Sequence, residues 1–107
     1  MATQNADSGI GRELPPAVVE DLLSDESRRR ALEILSDRDE PMVVEELAAS
    51  VVATRAECPV SAVRAADREA MTEELFTEHI PKLTATGVVA YDSMLGAVEL
   101  RQHDIVR

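Results

Sequence analysis

The feature that most constrains the fold is a change of hydrophobic period at Gly87. Before this glycine, apolar residues recur at helical spacing and end with Ile80 and Leu83. After it, residues 88–92 and 97–101 alternate as strands do, and the intervening segment SMLG is typical of a hairpin turn. The sequence therefore predicts a helix that ends at a left-handed glycine. A hairpin should follow and rest on the Ile80 and Leu83 side of that helix.

Three helices and one short strand are predicted upstream. The first helix begins at the proline pair 15–16, and the second is expected to have Ser24 as its N-cap. A short strand at Met42 and Val43 precedes the third, over residues 44–53. The helical stripes expected to be buried comprise Val18, Val19, Leu22, Leu23, Ser27, Ala31, Leu32, Ile34, Leu35, Leu47, Ala48, Val51 and Val52.

Two stretches interrupt these patterns. Residues 54–67 contain Pro59 and are predicted to form a long loop with one helical turn after Ser61. The last helix, predicted to resume at residue 68, contains Pro81, whose ring removes a hydrogen bond to the carbonyl of Thr77. We therefore expect a kink or one strained turn there.

The length of 107 residues suits one small domain with a single core. We expect residues 1–14 to be a disordered leader, residues 15–101 to fold and residues 102–107 to form a short tail.

Without a long apolar run or a signal peptide, the protein is expected to be cytoplasmic, with no membrane partner. One cysteine and no metal, phosphate-loop or nucleophile motif predict neither an enzyme nor a cofactor or metal site.

The net charge is −10, from 21 acidic and 11 basic residues, and Lys82 is the only lysine. This composition, with many small apolar residues, resembles that of proteins from extreme halophiles. At about 1 M salt the Debye length is roughly 3 Å, so repulsion between an acidic protein and DNA is largely screened. The charge therefore does not exclude DNA as a partner.

The predicted order of elements resembles the winged helix-turn-helix fold, which is mainly α with a small β-hairpin. The run S-x-H-L-x-x-L-x-x-x-G-L-V of many bacterial and archaeal repressors of this class is matched by Thr77, His79, Ile80, Leu83, Gly87, Val88 and Val89. The chain also resembles a haloarchaeal winged-helix family of unknown function. That likeness rests on Leu22–Ser24, Arg28–Arg30, Glu45–Ala48, His79–Leu83, Gly87–Val89 and Tyr91.

The resemblance implies that the helix before the hairpin lies in the DNA major groove of a dimeric transcriptional regulator. Its outward face is expected to comprise Glu73, Glu74, Thr77, Glu78 and Lys82. Carboxylates only accept hydrogen bonds and repel phosphate, so a second function stays open, in which this acidic helix docks a basic protein surface. Phosphate contacts in a DNA complex would come from Arg28, Arg29, Arg30, Arg64, Arg68 and Arg101.

Several of these side chains have a structural interpretation beside the functional one. The arginines at 28–30 cannot all point one way, and we expect them to pair with Glu26, Glu33 and Asp37. For His79, packing with a structural hydrogen bond is favoured, with pH sensing as the alternative. The two aromatic residues are expected to pack in the core and at the hairpin root, and the first helix to join the core or a dimer interface.

Overall fold

The computed structural model describes residues 14–106, so all but the last residue of the predicted leader lies outside it. The helices are α1 (Pro16–Leu23), α2 (Glu26–Arg38), α3 (Val44–Ala56), α4 (Ala65–Glu74) and α5 (Ile80–Ala85). A π turn over Leu75–His79 joins α4 to α5, and we call these three segments together the long helix. The strands are β1 (Met42–Val43), β2 (Val89–Asp92) and β3 (Ala97–Leu100), and 3₁₀ turns cover Val60–Ala62 and His103–Val106.

The three strands form one antiparallel sheet in the order β1-β3-β2. In the hairpin, Val89 lies opposite Leu100 and Tyr91 opposite Val98, so the predicted alternation is confirmed. The chain turns at Gly96, whose carbonyl accepts a hydrogen bond of 2.9 Å from the amide of Val44 at the start of α3. This bond ties the base of the hairpin turn to a helix of the core.

The core lies between the helices and the inner face of the sheet. Ile80 and Leu83 are buried on the side of α5 that packs against β2, as predicted. Leu22 is 1% exposed, so α1 contributes to the core of its own chain. The largest fully buried side chains are Leu22, Leu32, Leu35, Met42, Val44, Leu47, Val51, Leu75, His79, Val88 and Val98. The predicted class, mainly α with a small antiparallel hairpin, is confirmed, and the element order is compatible with a winged helix.

The long helix ends as the sequence predicts, at Gly87 with a φ of +76°. Its amide donates to the carbonyl of Thr84 at 3.1 Å, and the amide of Val88 donates to that of Leu83 at 2.9 Å. These two bonds satisfy carbonyls that the last helical turn leaves without partners. The chain then enters β2 directly.

Two local predictions are wrong. Ser24 does not cap α2; its hydroxyl donates to the carbonyl of Asp21, and the carboxylate of Asp25 accepts from the Arg28 amide as the N-cap. The irregular stretch is also shorter than predicted, because α3 continues to Ala56 and α4 begins at Ala65. The alanines at the start of α4 favour helix, and they extend it back from the predicted start at residue 68.

The irregularity expected near Pro81 takes the form of the π turn. The amide of Ile80 bonds to the carbonyl of Leu75, five residues back, instead of to that of Phe76. Pro81 is the next residue, and it has no amide proton to donate to a helical hydrogen bond. Single π turns inside α-helices are frequent at functional sites, which directs attention to the residues of this turn.

Candidate functional site

The outward face of the long helix is acidic. Glu73, Thr77 and Glu78 are exposed, and the Thr77 hydroxyl donates to the carbonyl of Glu73 at 2.9 Å. Lys82, the one cation predicted for this face, has its Nζ 3.2 Å from Oδ2 of Asp21 in α1. Its charge is therefore already partnered within the domain, and the helix presents carboxylates and a hydroxyl to solvent.

Glu74 does not belong to this outward face, contrary to the prediction. Its Oε2 lies 2.8 Å from Nε2 of His79, which is 0% exposed. The two residues are five positions apart, the spacing that a π turn brings into line. The widened turn therefore directs Glu74 toward the domain, and the sequence periodicity did not show this.

His79 is held on its other side by Arg28, which is 6% exposed. Nη1 of Arg28 lies 3.3 Å from Nδ1 of His79. Because a guanidinium only donates hydrogen bonds, Nδ1 must be the acceptor, which assigns the imidazole proton to Nε2 and its donation to Glu74. The expectation that His79 packs with a structural hydrogen bond is confirmed.

Arg28 also caps the carboxyl end of α1. Its Nε donates to the carbonyl of Leu22 at 2.7 Å, and its Nη2 donates to that of Asp21 at 2.9 Å. All three guanidinium nitrogens are thus used inside the domain, so the predicted phosphate contact by Arg28 is wrong. A sequence signal existed, because Arg28, Leu32 and Leu35 recur at i, i+4 and i+7, the spacing of a buried face.

Most of the other predicted phosphate contacts are paired with acids. Arg29 lies 3.9 Å from Glu33, and Arg30 lies 3.3 Å from Glu26, as expected from their spacing. Asp37, the third predicted partner, joins no ion pair among the described residues. Further pairs are Arg55–Glu26 at 3.8 Å, Arg64–Asp67 at 3.3 Å and Arg101–Glu99 at 3.9 Å.

Within residues 14–106, the side chains of Arg38 and Arg68 form neither an ion pair nor a hydrogen bond, whereas Arg28, which also forms no ion pair, uses its guanidinium in hydrogen bonds. Arg38 and Arg68 both line an open groove of about 500 Å³ between α2, α3 and α4. Glu45 and Glu46 line the same groove, so the two positive charges lie beside two negative ones. The groove is therefore not a predominantly cationic surface.

Phe76 and Tyr91 are at the surface, although sequence analysis predicted that they would pack in the core and at the hairpin root. Their rings meet edge to face, with centroids 5.8 Å apart and planes at 87°. Phe76 is 41% exposed on the long helix, and Tyr91 is 37% exposed on β2, an edge strand of the sheet. The hairpin tip adds exposed Met94 and Leu95 and no basic side chain.

The Asp25 carboxylate completes the network around His79. Its Oδ1 accepts from the Arg28 amide at 2.9 Å and lies 3.7 Å from Nε2 of His79. Partial burial raises the pKa of Asp25, but the hydrogen bond from that amide and the electrostatic interactions with His79 and Arg28 outweigh it. The net result is a pKa below its ordinary value of 3.8.

Asp25, Glu74 and His79 bring three potential metal ligands within 4.8 Å of one another. A metal on Nε2 would leave the imidazole proton on Nδ1, where it would face the N–H groups of Arg28. Metal-bound histidines instead direct that proton at an acceptor. The network therefore fits a chain of hydrogen bonds better than a metal centre.

Replacing Asp25 with alanine is expected to lower the free energy of unfolding by about 1 kcal/mol, the usual effect of losing an N-cap. Asparagine at this position keeps the capping oxygen but does not titrate. Because the folded-state pKa is lowered, the charged carboxylate stabilises the fold above its ordinary value of 3.8, and that contribution is lost as pH falls through the folded pKa. Urea denaturation from pH 7 to pH 3 should show wild type and Asp25→Asn converging at the acidic end; a constant gap would contradict this.

Comparison with known proteins places the chain in a family. A family model described as Domain of unknown function (DUF7344) matches residues 20–99. The chain belongs to the DUF7344 family. The matched residues include the candidate site described above, from Asp21 in α1 through the long helix to Tyr91. No curated protein and no solved structure matches the chain.

Among residues 14–106 of this DUF7344 domain, no helix is both long and apolar enough to cross a membrane.

Proposed function

We propose that this domain is a winged-helix module that binds a basic protein surface through the outward face of its long helix. One observation carries the proposal. Glu73 and Glu78 are exposed and form no ion pair with any described residue, while most of the described arginines pair with acids elsewhere. An unpaired carboxylate surface complements a cationic partner and repels phosphate. Charge complementarity therefore favours protein over DNA.

A DNA-binding transcriptional regulator is the second candidate. It is supported by the element order, in which a helix precedes an antiparallel hairpin whose strand β3 pairs with β1, as a winged helix requires. Arg38 and Arg68, without ion-pair partners among the described residues, would supply phosphate contacts. In a halophilic cytoplasm, which the composition favours, salt would screen the repulsion from the acidic face.

The test compares two kinds of ligand in KCl from about 0.1 M to molar concentration. One is a pool of labelled genomic DNA fragments, and the other is a basic protein retained by the immobilised domain, identified by mass spectrometry and then purified. Affinities are measured by fluorescence anisotropy for wild type and for Glu73→Gln with Glu78→Gln. We expect the double variant to bind the protein roughly threefold to tenfold more weakly, since each exposed charge pair contributes up to about 1 kcal/mol.

The matched control is Glu20→Gln with Glu40→Gln, which neutralises two exposed carboxylates that do not belong to the long helix. This control should bind the protein as wild type does. Saturable binding to a DNA site that is unchanged or strengthened by Glu73→Gln with Glu78→Gln would instead contradict the proposal and support the regulator.

A further inference from the structure

The chain has one phenylalanine, one tyrosine and no tryptophan, and the two aromatic rings lie together on the surface. The core is built from leucine, valine, alanine, isoleucine and methionine instead. Burying an aromatic side chain is strongly favourable, and exposed aromatic residues that cluster are typical of the centres of protein interfaces. The pair therefore needs an explanation outside the core of this domain.

Carboxylates border this aromatic pair. Glu69, Glu73 and Phe76 follow one another at spacings of four and three residues, which places them side by side along the long helix. Glu69 and Glu73 are exposed, and neither forms an ion pair with a described residue. Tyr91, on β2, meets the ring of Phe76 edge to face. The surface thus combines two ring systems with a row of negative charge.

We infer that the surface formed by Glu69, Glu73, Phe76 and Tyr91 binds arginine side chains of a basic protein segment. This inference rests on the proposed function and names the chemistry of the partner. A guanidinium is planar, stacks on aromatic faces and forms two parallel hydrogen bonds to a carboxylate, so it uses both components of the surface at once. A lysine ammonium is a compact and strongly hydrated charge that uses them less well.

Nucleic acid is the alternative occupant, since unpaired bases also stack on aromatic rings. Its phosphates would lie beside Glu69 and Glu73. Arg68 lines one pocket with these two carboxylates and with Glu45, so one cation faces three acids there, and the described part of the hairpin carries no basic side chain before Arg101. The carboxylates therefore favour a cationic segment, and the experiment tests binding of nucleic acid as the alternative result.

The experiment uses the full chain and three labelled probes at about 0.1 M KCl: a twelve-residue peptide alternating arginine and alanine, its lysine counterpart, and a single-stranded oligonucleotide. Anisotropy should show the arginine peptide binding about fivefold more tightly than the lysine peptide. Phe76→Leu with Tyr91→Leu should abolish this preference while leaving the lysine peptide's affinity unchanged. Met94→Ala with Leu95→Ala, which removes exposed apolar side chains from the hairpin tip, is the matched control and should keep the preference.

Equal binding of both peptides, still weakened by Glu73→Gln with Glu78→Gln, would overturn this inference and leave the proposed function intact. Binding of the oligonucleotide but of neither peptide would overturn both. Far-ultraviolet circular dichroism of each variant verifies that it is folded, which we expect because all four replaced side chains are exposed.

Discussion

Replacing Arg28 with methionine is expected to lower the free energy of unfolding by about 3 kcal/mol. Methionine fills much of the same volume but leaves the carbonyls of Asp21 and Leu22 and Nδ1 of His79 without their donor. Hydrogen bonds from a charged group contribute about 1.5–3 kcal/mol each, and part of this loss is recovered because a buried charge is removed. Urea denaturation at constant KCl concentration, with equal m-values for both proteins, measures the difference.

Arg29→Met is the matched control for this effect, because it makes the same chemical change one position along α2. Arg29 is partly exposed and pairs with Glu33 at 3.9 Å, so its replacement should change stability by less than about 0.5 kcal/mol. Arg28→Lys should recover little, since an ammonium cannot reach three acceptors in the geometry of a planar fork. Equal stabilities for Arg28→Met and wild type would show that the buried guanidinium is not needed to hold α1.

Replacing His79 with leucine is the second large effect, a loss of about 2 kcal/mol. Leucine packs in the same place but leaves Nη1 of Arg28 buried without an acceptor, and an unsatisfied buried donor costs about 1–3 kcal/mol. Glu74 loses its partner as well, at less cost because it is partly exposed. The same denaturation experiment measures this variant.

The double variant Arg28→Met with His79→Leu separates a coupled network from two independent losses. Once His79 is leucine, removing Arg28 also removes the unsatisfied donor, so the combined loss should be smaller than the sum of the single losses by about 1 kcal/mol. Strict additivity would show that the 3.3 Å contact between Nη1 and Nδ1 contributes nothing to stability.

The elements that were predicted correctly from the sequence are those that are determined by a few neighbouring residues. Gly87 ends the long helix because its backbone adopts a φ of +76°, and the alternation of the two hairpin strands follows from which residues face the core. Both signals are contained within a few neighbouring residues. The end of the helix at Gly87 and the alternation of the two strands could therefore be predicted from neighbouring residues.

The network around His79 could not be predicted in the same way. Arg28 and His79 are 51 residues apart, and their contact depends on how α2 packs against the long helix. Pro81 indicated an irregular turn but not its type, and the π turn is what aligns Glu74 with His79. The composition also did not indicate that both aromatic rings would lie outside the core, because the burial of each ring depends on how the long helix and β2 pack together.

The π turn also adds one residue to the long helix. It holds one residue more than a regular α-helical turn would, so deleting a single residue between positions 75 and 79 would restore uniform winding. Because the wide turn accommodates the extra residue within one turn, positions downstream would keep their orientation, and Ile80 and Leu83 would still face β2. The five-residue spacing that aligns Glu74 with His79 would be lost. Natural variants of this helix that are one residue shorter here should therefore keep the fold and lack this contact.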